Sequence, residues 1–209
     1  MKIIVFGANG RVGSLLVAEL IKQNYKVVAF IHGENNLPKN KLVTIFKGDI
    51  YNSKNVSSAM KGCNVIISAL GSWGTPKKDI LTSAMKNIIP AMKEQKIKRI
   101  ITLTGADALA SKEKPTITQK ITRPIFTVLA KNILEDGENH IALLENSELD
   151  WTVVRSPVMN NIGNPKRFYL SNNTPNPFRT INRQSVAIVL TNQISDTAFI
   201  HQAPYIYRK

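Results

Sequence analysis

Three evenly spaced glycines, Gly7, Gly10 and Gly13, carry the clearest chemistry in the chain. They punctuate Gly7-Ala8-Asn9-Gly10-Arg11-Val12-Gly13, which follows the apolar run Ile3-Ile4-Val5-Phe6. An apolar helical pattern at Val12, Leu15, Leu16 and Leu20 begins at once. Strand, tight turn and helix in that order gather backbone N–H groups at a helix N-terminus, where they can hold a pyrophosphate. The spacing G-x-x-G-x-x-G differs from G-x-G-x-x-G, but the three tasks carry over. Gly7 permits the sharp exit from the strand. Gly10 leaves room for phosphate to approach the backbone, and Gly13 lets the helix lie close to the sheet. A glycine-rich turn that binds nothing is the alternative. The buried-strand run directly before it favours a nucleotide.

Other side chains offer less. Thr104, at the end of a strand, supplies a hydroxyl that could orient a carboxamide or an acceptor carbonyl, or simply bond to backbone. His140 lies on an acidic helix as a candidate acid or base, with a satisfied structural histidine as the plainer reading. His201 reads as incidental, Asp107 as a loop carboxylate, and Trp73 as a cap over an aromatic acceptor or a hydrophobic plug. Cys63, the only cysteine, reads as a buried structural thiol without an activating base. Three histidines and one cysteine have no metal-ligand spacing, so no metal is expected. No Gly-Lys-Ser/Thr follows the glycine turn, which argues against phosphoryl transfer.

The elements that position these groups follow from hydrophobic runs. Strands are expected at 3–6, 26–31, 42–46, 65–69, 99–104 and 150–155. Short ones are expected near 168–170 and at Ala198-Phe199-Ile200. Helices are expected after Gly13, from an N-capping Ser53 to about 60, over about 77–95 with a kink at Pro90, over 125–130, over 137–147 and over 185–192. The stretch 106–124 has no clear assignment. Strands alternating with helices predict an α/β class: a Rossmann-like, doubly wound parallel sheet in one domain spanning residues 1–209. Ligands in such sheets bind at the carboxyl ends of the strands, and the substrate side falls at about 105–130 and 157–182.

A hydrophobic content of 43% and a charged content of 20% fit an ordinary globular protein. No apolar run reaches a membrane span and no signal-peptide pattern is present, so a cytoplasmic protein without membrane contact is expected. The net charge of +14 fits either an anionic ligand or a lysine-rich solvated surface. No nucleic-acid motif or arginine-rich block accompanies it, which argues against nucleic acid as the main partner.

The glycine turn, Lys47-Gly48-Asp49, Ala69-Leu70-Gly71, the 99–104 strand and Leu149-Asp150-Trp151-Thr152-Val153-Val154-Arg155-Ser156-Pro157 occur in this order. In that order they resemble the atypical short-chain dehydrogenases/reductases. The whole chain is similar to the compact NAD(P)H-binding branch that includes biliverdin reductase B (flavin reductase) and NmrA-like proteins. The resemblance implies a Rossmann fold and a nicotinamide cofactor. It places Gly7, Asn9, Gly10, Arg11, Val12 and Gly13 at the pyrophosphate. Asp49 and Ile50 would flank the adenine. Ala69, Leu70 and Gly71 would line the ribose and nicotinamide side. Thr104 falls at the family's serine or threonine position, and Pro157 and Val158 would border the nicotinamide.

The departures narrow the chemistry. The superfamily's Tyr-x-x-x-Lys acid pair is missing at Tyr25, Tyr51 and Tyr169, and the Tyr205/Lys209 spacing reads as coincidence. Biliverdin reductase B carries a serine where this chain has Gly105 and a histidine where it has Val158, which argues against biliverdin as acceptor. Hydride transfer to a flavin, quinone or similar conjugated acceptor needs mainly ring alignment, with flavin as substrate rather than bound cofactor. The alternative is an NmrA-like regulator that reads NADP(H) without catalysis. NADP(H) is expected over NAD(H). The second strand ends Phe30-Ile31-His32-Gly33 without a carboxylate at its tip, while Arg11 and His32 can meet a 2′-phosphate. The acceptor and the choice between monomer and dimer stay open.

Overall fold

The computed structural model describes residues 1–173, 176 and 179–208, with only the backbone described at 74, 118 and 126. The strand expected at 3–6 is β1 (Lys2–Phe6), which leads through the glycine turn into α1 (Gly13–Lys22), and β2 (Lys26–Ile31) and β3 (Val43–Lys47) follow. Then come α2 (Ser53–Met60), β4 (Val65–Ser68), α3 (Ile80–Glu94) and β5 (Arg99–Gly105). The second half holds α4 (Ile117–Leu129), α5 (Lys131–Glu145), β6 (Asp150–Ser156), β7 (Met159–Asn160) and β8 (Phe168–Ser171). It ends with β9 (Ile181–Asn182), α6 (Arg183–Asn192) and β10 (Tyr205–Arg208).

The main sheet has eight strands in the order β3-β2-β1-β4-β5-β6-β10-β8, all parallel except the β8–β10 pair. The order reverses between β1 and β4, the switch point of a doubly wound fold. Each face carries a helical layer. Ile4, Phe6 and Ile66 pack with Val56, Met85 and Ile141 from α2, α3 and α5. Ile3, Val5 and Ile67 pack with Leu16 and Val186 from α1 and α6 on the opposite face. Strand alternation sends neighbouring residues of β1 into different layers, and burial on both faces explains its unbroken apolar run.

Three expectations are corrected. Asn52, not Ser53, caps α2, because its Oδ1 accepts the Asn55 N–H at 3.1 Å. The helix expected at 125–130 begins at Ile117 and continues through Pro124. Gln119, Thr122 and Arg123 bond back to the Ala106–Asp107 stretch and hold that unpromising sequence helical. Residues 198–200 form a turn, closed by Ile200 N–H to the Thr197 carbonyl at 3.2 Å. The last strand is β10, which pairs with β8 through Tyr207 and Tyr169.

Candidate functional site at the carboxyl edge of the sheet

The glycine turn sits at the switch point. Gly7 has φ +76°, and a Cβ there would lie 3.1 Å from the backbone of Ala69 and Leu70. Glycine therefore lets the loops after β1 and β4 touch. A Cβ at Gly13 would lie 2.0 Å from the Gly7 carbonyl oxygen, so the start of α1 presses directly on the turn. Gly10 differs. It is exposed, and a Cβ would meet only the Gly7 oxygen, at 3.1 Å. No side chain caps α1. An uncapped helix N-terminus behind an exposed glycine fits a bound pyrophosphate. Val12 is buried beneath the turn.

Asn9 braces this turn. Its Nδ2 donates to the Glu34 carbonyl and its Oδ1 accepts the Asn36 N–H at 3.1 Å. The side chain thus ties the glycine turn to the loop after β2. Arg11 and His32 are both exposed on this side, and neither has an ion pair or side-chain hydrogen bond among the described residues.

Gly48-Asp49-Ile50 follows β3. Asp49 Oδ1 accepts the Tyr51 N–H at 3.0 Å, and the exposed carboxylate keeps further acceptor capacity. Ile50 turns into the core, and its carbonyl accepts from Asn87 at 2.8 Å. Tyr51 hydrogen-bonds Asp79 at 3.3 Å under the Lys77 ammonium, and burial beside that carboxylate pushes its pKa up to about 12. After β4, Ala69 and Leu70 are half-buried, and Gly71 is exposed with an extended backbone. Trp73 is 67% exposed on this loop.

At the end of β5 the Thr104 hydroxyl faces α5, where a Cβ on Gly137 would come within 2.7 Å of it. It makes no hydrogen bond among the described residues. Asp107 is engaged, accepting the Thr122 hydroxyl at 2.6 Å. Pro157 is half-buried and Val158 is exposed at the end of β6.

His140 is set apart from this edge. It is fully buried, with Nε2 2.9 Å from the Thr102 hydroxyl. Nδ1 faces the Gly137 carbonyl without closing a hydrogen bond of good geometry. Burial lowers its pKa to about 4, so the ring is neutral at physiological pH. Cys63 is buried as expected, and burial pushes its thiol up. Lys209 lies outside the described residues. Its spacing partner Tyr205 is buried, with its hydroxyl accepting from Gln119 at 3.0 Å.

Two buried polar groups escaped the sequence reading. Asp136 on α5 accepts the Leu81 and Thr82 N–H groups at 3.0 and 2.8 Å, and also the Ser72 hydroxyl. It thereby fixes the loop after β4 to α3 and α5. Arg155 is 1% exposed and lies 3.8 Å from the Tyr205 ring centre. It donates to the Ala203 and Ala108 carbonyls and to both oxygens of Glu113, whose carboxyl it helps hold below its usual range. An arginine directly after the apolar Val153-Val154, within the strand, was the available signal for a buried, partnered charge.

Among the described residues no helix is long and apolar enough to cross a membrane, and no group of three His, Cys, Asp or Glu could hold a metal ion.

Known proteins are similar to this chain in sequence or in fold. The 2-alkyl-3-oxoalkanoate reductase of Shewanella oneidensis is 29% identical over 152 residues, covering 70% of this chain but only 38% of the relative. A short-chain dehydrogenase/reductase from Veillonella parvula, solved in complex with NADP, aligns with TM-score 0.76 at 20% identity, covering 98% of this chain and 93% of that one. ChuY, an anaerobilin reductase from Escherichia coli O157:H7, aligns with TM-score 0.77 at 17% identity over 100% of this chain and 97% of that one. These structural likenesses establish the fold. The family model for NAD(P)H-binding proteins matches residues 7–197, and on that match this chain belongs to the NAD(P)H-binding family.

Proposed function

We propose that the protein is an NADPH-dependent reductase that passes hydride to a flavin, quinone or similar conjugated acceptor. The observation that carries this reading is the poverty of free acids around Thr104 among the described residues. Thr104 offers one unpartnered hydroxyl, Asp107 is bonded to Thr122, and His140 is buried and neutral. Such an edge suits an acceptor whose own ring takes up the electrons while water supplies the proton, and it suits a simple ketone poorly.

When bound, the reduced nicotinamide supplies the hydride. The chain supplies position. The N–H groups at the start of α1 would hold the pyrophosphate, with Asn9 keeping the turn rigid. Arg11 and His32 would meet the 2′-phosphate, and Asp49 would accept from the adenine amino group. Ala69, Leu70, Gly71, Pro157 and Val158 would confine the nicotinamide, and Thr104 would donate to its carboxamide or to the acceptor. Two of the similar proteins bear the name reductase, which supports the reaction class.

One observation favours a second reading. Ile117, Ile121, Ile125, Val128 and Leu129 of α4 are all 56% exposed or more, an apolar surface that suits a partner protein and hence a cofactor-sensing regulator. Steady-state oxidation of NADPH with FMN or a quinone separates the two. Turnover is expected; tight NADPH binding without turnover on any acceptor supports the regulator.

A further inference from the structure

A cavity of about 310 Å³ opens at the same sheet edge, beyond β6. Pro157, Tyr169, Arg179, Thr180, Tyr207 and Arg208 line it. The register explains its place: Tyr205 pairs with Arg155, so Tyr207 and Arg208 run past the end of β6 alongside Pro157. Tyr169 and Tyr207 form one wall, their rings stacked 4.8 Å apart and 3° from parallel. The Tyr207 hydroxyl is buried, and Ser171 approaches it without closing a hydrogen bond of good geometry.

Two arginines line this cavity, and among the described residues neither has a carboxylate partner. Arg179 and Arg208 are exposed and make no ion pair or side-chain hydrogen bond among the described residues. Gly163, with φ +91°, makes room for one of them, since a Cβ there would lie 3.2 Å from the Arg208 Nη2. Arg155, one strand over, shows what the fold does with an arginine that serves structure: it is buried and fully bonded. Two arginines without a carboxylate partner and a stacked tyrosine pair line the same cavity, which matches an anionic group attached to a ring. The volume is at the small end for a ligand pocket and suits a side arm rather than a whole tricyclic ring.

We infer that this cavity holds the anionic arm, a carboxylate or phosphate, of a ring acceptor whose reducible ring lies toward Pro157. The inference rests on the reductase reading, because Pro157 is then the boundary shared with the nicotinamide. It names the acceptor class as anionic, in keeping with the net charge of +14.

The test compares ligands that differ only in the arm. FMN and riboflavin share one ring and differ by a phosphate. Their binding to the NADP⁺-loaded protein is read by flavin fluorescence quenching. FMN is expected to bind at least about ten-fold tighter than riboflavin, and the ratio should fall toward one in Arg179→Gln/Arg208→Gln. NADP⁺ affinity of that variant reports that it has folded. Anthraquinone-2-carboxylate against 2-(hydroxymethyl)anthraquinone, each displacing FMN, asks the same of a carboxylate. A preference in one pair assigns that anion, and a preference in both assigns the shared chemistry. Ratios near one in both wild-type pairs, or ratios that survive both substitutions, overturn the pocket. NADPH oxidation with riboflavin is followed in parallel. Its absence counts against hydride transfer, while the binding ratios still decide the pocket.

Discussion

The carboxylate of Asp136 accepts the backbone N–H of Thr82 at 2.8 Å, so a side chain on α5 caps α3 from 54 residues away. The residue in the ordinary capping position, Asp79, makes no capping bond. Burial raises the stakes, because losing the carboxylate strands two N–H groups and the Ser72 hydroxyl without water. Asp136→Ala should cost roughly 2–3 kcal/mol in urea unfolding, and Asp79→Ala well under half of that. Equal costs would show that the cap across the fold contributes nothing special.

His140 makes stability depend on pH. Its folded pKa, about 4, lies below the ordinary value of 6.5. The unfolded chain therefore takes up a proton as pH falls through 6.5, while the native chain resists until about 4. Stability from the neutral ring is present above 6.5 and is lost as pH falls toward 4. Between pH 7 and 5 the loss should be about 2 kcal/mol. Urea unfolding of wild type and His140→Gln at both values checks this. Identical pH dependence in the two proteins would remove His140 from the account.

Much of this was legible beforehand. Strands β1, β2, β4, β5 and β6 are apolar runs because both faces are buried, β3 is a half-exposed edge strand, and the glycine turn stands where spacing put it. The rest needed partners remote in sequence. Nothing local marks Asp136 as the cap of α3 or separates it from its solvated acidic neighbours. Nothing local shows that the Asn9 side chain holds the Glu34–Asn36 loop. Ala198-Phe199-Ile200 is as apolar as a strand, but Tyr205–Arg208 gains ladder partners on both sides.

On the proposed reading, cofactor choice turns on Arg11. A charge-assisted contact contributes about 1.5–3 kcal/mol, or roughly ten- to a hundred-fold in affinity. Wild type should bind NADPH that much tighter than NADH, and Arg11→Ala should erase most of the ratio. Dissociation constants for both cofactors with both proteins provide the check. An unchanged ratio would move the 2′-phosphate elsewhere.

Thr104 should assist rather than drive the reaction. A single hydroxyl hydrogen bond contributes about 0.5–1.5 kcal/mol, so Thr104→Val should slow turnover by roughly ten-fold at most. A loss of several thousand-fold in kcat would make Thr104 a principal catalytic group.

The glycine turn itself separates binding from folding. Gly13→Ala drives a Cβ to 2.0 Å from the Gly7 oxygen and should destabilise the protein outright. At Gly10 a Cβ meets only that oxygen, at 3.1 Å, so Gly10→Val should disturb the fold far less while filling the place proposed for the pyrophosphate. The most direct measurement is calorimetric titration of NADPH into wild type and Gly10→Val, with thermal unfolding of both as control. The account predicts binding by wild type and none by a folded Gly10→Val. Undiminished NADPH affinity in that variant would contradict it.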